Sequence, residues 1–158
     1  MENIDLEIRK IEEEEKELQF ISFSNDDALN IGLKLIEKAR KEQKIITIDI
    51  TRSGQQVFHF AFSGTSQDND KWIIRKNNVV RHFGKSSLLV GLNLQRDGKS
   101  IEEAFYISSF EFSAHGGAFP IIIKNTGVIG SITVSGLPQK EDHSLVVSVI
   151  KEYLNLNK

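Results

Sequence analysis

Apolar residues Ile4, Ile8, Ile11 and Leu18 recur at near-helical spacing through residues 3–19, with acids between them, and predict an amphipathic helix. Glu12 to Glu15 interrupt that stripe, so the helix is expected to lie over the domain rather than inside it. Ser24-x-x-Asp27 resembles a capping box with aspartate in the glutamate position and starts a second helix. Its stripe is Ala28, Gly32, Leu35, Ile36 and Ala39, and it ends near Gln43. Glycine inside a helix costs about 1 kcal/mol against alanine, so Gly32 predicts close packing on a sheet.

The periodicity then changes from helical to alternating. Residues 45–51 place Ile46, Ile48 and Ile50 on one face and Thr47, Asp49 and Thr51 on the other. Arg52 to Gln55 supply a turn, and residues 56–62 return with Phe58, Phe60 and Phe62 opposite Val57, His59 and Ala61. A two-residue Ser53-Gly54 loop is expected to put His59 on the isoleucine face, and a three-residue loop on the other. Ser66 or Asp68 caps the next helix, on which Trp72, Val79, Val80 and Phe83 are expected to turn inward. Lys71, Arg75, Asn78 and His82 take a neighbouring face.

Further helices are predicted over 86–94, 101–105 and from Pro138 onward, the last carrying Leu145, Val146, Val149, Ile150, Tyr153 and Leu154. Between them, 119–124 and 128–135 form a second hairpin that sends Ser131, Thr133 and Ser135 to one face. Two hairpins among helices describe a mostly antiparallel sheet covered on both sides, an α+β plan.

Composition adds exclusions. A chain of 158 residues predicts one domain, 1–158, with the acidic helix of 1–19 packed on it. There is no cysteine, hence no disulfide, no thiolate nucleophile and no cysteine metal site. The start lacks a signal-peptide plan and no apolar run approaches membrane-spanning length, so a cytoplasmic location is expected. Residues 1–19 hold eight acids and three bases, which leaves +3 for the remainder within a total of −2. That excess is too small for general nucleic-acid affinity. The acidic run reads as a solvated helix face, or alternatively as a docking surface for an assembly or adaptor role.

Three separated motifs carry a family resemblance. Residues 128–143, VIGSITVSGLPQKEDH, resemble the terminal signature of the GlcG/HbpS-like haem-degrading domain family. His115-Gly116-Gly117-Ala118-Phe119-Pro120 is similar to its Gly-Gly-x-Pro segment. Gly64-Thr65-Ser66-x-Asp68-Asn69, followed by Trp72-Ile73-x-Arg75-Lys76, resembles the subgroup catalogued only as an uncharacterised protein family. Together they cover residues 24–155. The resemblance implies a profilin-like three-layer α/β/α fold and homo-oligomers, with haem a possible cofactor. The family signature includes no haem-ligating histidine. Leu137-Pro138 stands where the family has a glycine-rich link, which stiffens the helix start.

These motifs combine into one candidate site for a small anionic ligand, an organic acid or a phosphate ester. Arg75, with Lys76 behind it, offers a planar donor. Gly116 and Gly117, beside His115, remove side chains where backbone N–H groups would face a ligand. Ser135 precedes a helix start that favours negative charge, and Asp68 and Asn69 come from the capping loop. The competing reading makes the glycine pair a turn and pairs Arg75 with an internal acid. For metals the histidine spacing shows no HxH or HxxxH pair, leaving His59, His115 and His143 as weak candidates and no committed site. His59 and His115 are the two options for a haem axial ligand. Asp142 reads as a helix-start charge and His143 as within reach of His115. No nucleophile elbow, phosphate loop or dinucleotide fingerprint is present.

Overall fold

The computed structural model describes residues 2–155, so the ends of the expected 1–158 domain lie outside the described residues. Six helices and four strands follow in order: α1 (Glu2–Glu17), α2 (Asn25–Lys41), β1 (Thr47–Arg52), β2 (Gln55–Ala61), α3 (Gln67–Phe83), α4 (Ser87–Asp97), α5 (Ile101–Phe105), β3 (Ala118–Ile123), β4 (Gly127–Ser135) and α6 (Gln139–Tyr153). The strands make one antiparallel sheet in the order β2-β1-β4-β3. The element list and the α+β class match the sequence pattern.

The two faces of the sheet differ in chemistry. Ile46, Ile48 and Ile50 join Phe119, Ile121, Ile132 and Val134 under α2 and α6, all fully buried. Each such side chain contributes about 1.5–3 kcal/mol. On this face Gly32 lets α2 approach closely: a Cβ there would lie 2.5 Å from the Phe58 ring. The capping box at Ser24 and Asp27 fixes where α2 starts, and the Tyr153 hydroxyl donates to Asp27, tying α6 to that cap.

The opposite face is polar and lies under α3. Buried Asp49 accepts from Thr51 Oγ1 at 2.8 Å, Gln56 Nε2 at 2.7 Å and Asn77 Nδ2 at 2.9 Å. The Thr133 hydroxyl donates to the Asn77 carbonyl and closes the network. An unpaired buried carboxylate is expensive, and three donors are what make this one tolerable.

His59 departs from the register expected of it. The loop is indeed the two residues Ser53 and Gly54, both with positive φ. A bulge between Ile50 and Thr51 nevertheless leaves Val57 as the extra residue and pairs Asp49 with His59. The bulge reverses the phase, so His59 lies on the polar face, 3.3 Å from Asp70 of α3. At the far edge, β3 holds Pro120 where no ladder hydrogen bond is needed. Ser87 of α4 and the bridge at Phe20 cover much of that edge.

The acidic run of α1 is less solvated than its composition suggests. Ile8 and Ile11 pack on Leu88, Leu89 and Leu92 of α4. Glu14 is buried, its Oε1 3.0 Å from His143 Nε2. Glu15 accepts from the Ser86 amide at 3.1 Å and its hydroxyl at 2.9 Å, and so caps the start of α4. Burial pushes the Glu15 carboxyl up despite these bonds. Hence two of the four glutamates fasten the helix.

Glu14→Ala should destabilise the protein by about 1–3 kcal/mol, because it strands a buried imidazole nitrogen. Urea unfolding measures the loss, and Glu14→Gln, which keeps an acceptor, should recover part of it.

Candidate functional site

Where β4 ends and α6 begins, the chain must turn from one face of the sheet to the other. Gly136 takes a φ of +142° and Leu137-Pro138 follows, with Pro138 as the N-cap rather than the first helical residue. Pro138 has no side-chain cap, and Asp142, one turn into α6, accepts the Leu137 amide at 3.0 Å instead. Its other oxygen lies 3.2 Å from Lys76 Nζ. Both members of this ion pair are buried.

Lys76 reaches that position from α3 across the end of the sheet. Its ammonium also donates to the Val134 carbonyl at 3.2 Å. Gly117 makes the room: its φ is +138°, and a Cβ there would stand 2.7 Å from Nζ. Burial raises Asp142 to about 6, against the opposing pull of Lys76 and the Leu137 amide. Burial likewise depresses Lys76, and Asp142 works against that shift.

A cleft of about 270 Å³ opens above the pair, lined by Asp68, Asn69, Trp72, Lys76, His115, Ser135, Gly136, Leu137, Gln139 and Asp142. Asn69 completes the capping box of α3 through the Ser66 amide and donates to Ser135 Oγ at 3.3 Å. Trp72 is half-buried and forms a wall rather than core, its indole N–H donating to Asp68 at 3.2 Å. His115 meets the Trp72 ring edge-on at 5.6 Å, and its Nδ1 lies 2.8 Å from Ser113 Oγ. Burial first, then Lys76 and Arg75, depress the His115 pKa, which favours the neutral ring.

The sequence-derived residues therefore divide. Asp68, Asn69, Lys76, His115 and Ser135 share this cleft. Arg75 does not line it. Its guanidinium stacks 4.2 Å over Trp72 and lines a neighbouring cavity of about 410 Å³ with Leu88, Leu92, Ile101 and Phe112. His115 and Gln139 border both spaces.

Gly116 and Gly117 are buried packing positions. The Gly116 amide donates to Gln139 Oε1 at 2.9 Å and is not free for a ligand. His143 faces Glu14 instead of His115, and His59 sits on the sheet's polar face, so the three histidines are apart. Among the described residues no group of three or more His, Asp or Glu could hold a metal. Sequence reasoning missed Gln139 and the pairing of Lys76 with Asp142. A lysine on the inward side of α3, three residues before Val79, was the available signal.

An antiparallel sheet between helical layers, with a polar cleft at its open end, defines a three-layer α+β domain. The model for the family described as "Haem degrading protein HbpS-like" matches residues 23–151, and the chain belongs to that family. A UPF0303 protein of Streptomyces coelicolor is 44% identical over 147 residues, covering 93% of each chain. The crystal structure of the Ybr137w protein superposes with a TM-score of 0.86 at 31% identity, over 95% of this chain and 88% of that one. A PduOC:heme complex superposes at 0.68 and 13% identity, over 82% and 94%, which speaks to the fold alone. Among the described residues no helix is long and apolar enough to cross a membrane.

The Asp142 shift has a definite sign. Its folded pKa of about 6 exceeds the ordinary aspartate value of 3.8, so its contribution to stability is full below 3.8 and is lost as pH rises through about 6. Asn cannot ionise, so wild type should lose stability relative to Asp142→Asn over that window, read by urea unfolding at several pH values.

Proposed function

We propose that this protein binds a small molecule with one anionic group, an organic acid or a phosphate ester, in the cleft above Lys76 and Asp142. The observation that carries this reading is a convergence of unused donors. Lys76 has three N–H bonds and two acceptors among the described residues. The Ser135 hydroxyl accepts from Asn69 and donates to no described residue, and the Gln139 amide N–H₂ has no described acceptor. All three line one space. The acids in the cleft are already engaged, Asp142 by Lys76 and Asp68 by Trp72. Self-association belongs to this reading, and Phe105, Tyr106 and Phe110 supply an exposed apolar loop for it.

Trp72 is the sole tryptophan and forms a wall of the cleft, so its fluorescence is a direct reporter. Titration with inorganic phosphate and with lactate should give a saturable change for at least one of them. Ser135→Ala and Gln139→Ala should each weaken it about fivefold, the worth of roughly 1 kcal/mol of hydrogen bonding. A response that never saturates, or variants that bind equally well, would remove the reading.

A second reading, haem binding, rests on His115. Its Nε2 has no partner among the described residues, and it borders the 410 Å³ cavity with its apolar lining. Arg75 and Lys99 line the same cavity. These groups fit haem in kind: a neutral imidazole for the iron, aliphatic side chains for the ring, and cations for the propionates. When bound, the group would supply a redox-active iron, while this chain would hold its edge and limit water. Haemin should then shift its Soret band on mixing with wild type, and His115→Ala should abolish the shift. An unchanged spectrum with wild type would sink this reading.

A further inference from the structure

Lys76 is placed as more than a structural cation. A buried lysine that only closed the end of the sheet would have every donor satisfied. Here Nζ is held by Val134 and Asp142 and keeps a third donor without a described acceptor, and Lys76, though buried, is among the residues lining the cleft. The missing side chain at Gly117 is what lets Nζ sit at the border of that cleft, since a Cβ there would stand 2.7 Å from it. Asp142 is fixed by the Leu137 amide on one oxygen and presents the other to Nζ at 3.2 Å. An amine and an adjacent carboxylate that can take and return a proton, beside a cleft walled by Trp72, are the parts that imine chemistry requires.

We infer that Lys76 is a covalent catalytic residue, forming an imine with a small 2-oxo acid whose carboxylate is held by Ser135 and Gln139. The inference rests on the anion-binding reading above. Asp142 first takes a proton from Nζ. The free amine attacks the carbonyl carbon, a C–N bond forms, and the carbonyl pair moves to oxygen, which recovers the proton from Asp142. Asp142 then accepts the second nitrogen proton and delivers it to the carbinol hydroxyl, which leaves as water. The sum is ammonium plus carbonyl giving iminium plus water, with no change of oxidation state, and the iminium remains paired with Asp142. Burial lowers the lysine pKa and raises that of Asp142, which eases the first transfer, from Nζ to the carboxylate.

The test is reductive trapping. The full chain is mixed with pyruvate and sodium cyanoborohydride, digested and mapped by mass spectrometry, while lactate, which has a hydroxyl in place of the ketone, is titrated in parallel by Trp72 fluorescence. The expected result is a reduced adduct on the Lys76 peptide ahead of exposed lysines such as Lys71 and Lys85, with loss of that adduct in Lys76→Arg. Mapping the wild-type protein keeps the experiment decisive even if that variant fails to fold. Saturable binding of lactate and pyruvate with no adduct at Lys76 overturns the covalent step and leaves the anion site standing. Modification confined to exposed lysines also overturns it. Absence of saturable binding to either acid, together with no adduct, overturns the 2-oxo-acid proposal, and removes the anion reading as well if inorganic phosphate also gives no saturable change.

Discussion

The Lys76–Asp142 pair is the contact on which the site depends. It joins α3, on one face of the sheet, to α6, which packs on the other, around the end of β4. Pairs of this kind do not by themselves stabilise a fold, because desolvating two charges costs about as much as their attraction returns. Their effect is geometric. With the carboxylate bound to the Leu137 amide and the ammonium to the Val134 carbonyl, the turn from β4 into α6 has one arrangement. The cleft, the orientation of Ser135 and the position of Gln139 follow from that arrangement.

The two faces of the sheet divide the work between stability and specificity. Ile46, Ile48, Ile50, Ile132 and Val134 supply burial on one side, where any well-shaped apolar set would serve. On the other, Asp49, Asn77 and Thr133 must be bonded to one another, and a shift of α3 by one turn would strand a buried carboxylate. The polar network therefore fixes the register of α3 over the sheet. Because Asn69, Trp72 and Lys76 ride on the same helix, it also fixes the cleft wall.

Membership of the HbpS-like family and the likeness to the Ybr137w protein agree with this architecture. The histidines show why family words do not convert into chemistry unaided. His59 serves a contact with Asp70, and His143 anchors the first helix through Glu14. Only His115 stands with a nitrogen open to a cavity.

Elements were legible in the chain because they depend on local rules. The period of apolar residues, the Ser24–Asp27 cap and the Ser53-Gly54 turn mark α2, β1 and β2 without reference to the rest of the molecule. Gly32 announced a close approach because no other reason keeps glycine in that helix. The face of His59 was not legible, since one extra residue at Val57 inverts the strand and leaves no mark in composition. Arg75 and Lys76 are neighbours in the chain, yet a helix turns them about 100° apart. One stacks on Trp72 and the other crosses the sheet to Asp142, 66 residues away. Which cation meets the ligand space is set by long-range packing, and that only the tertiary structure decided.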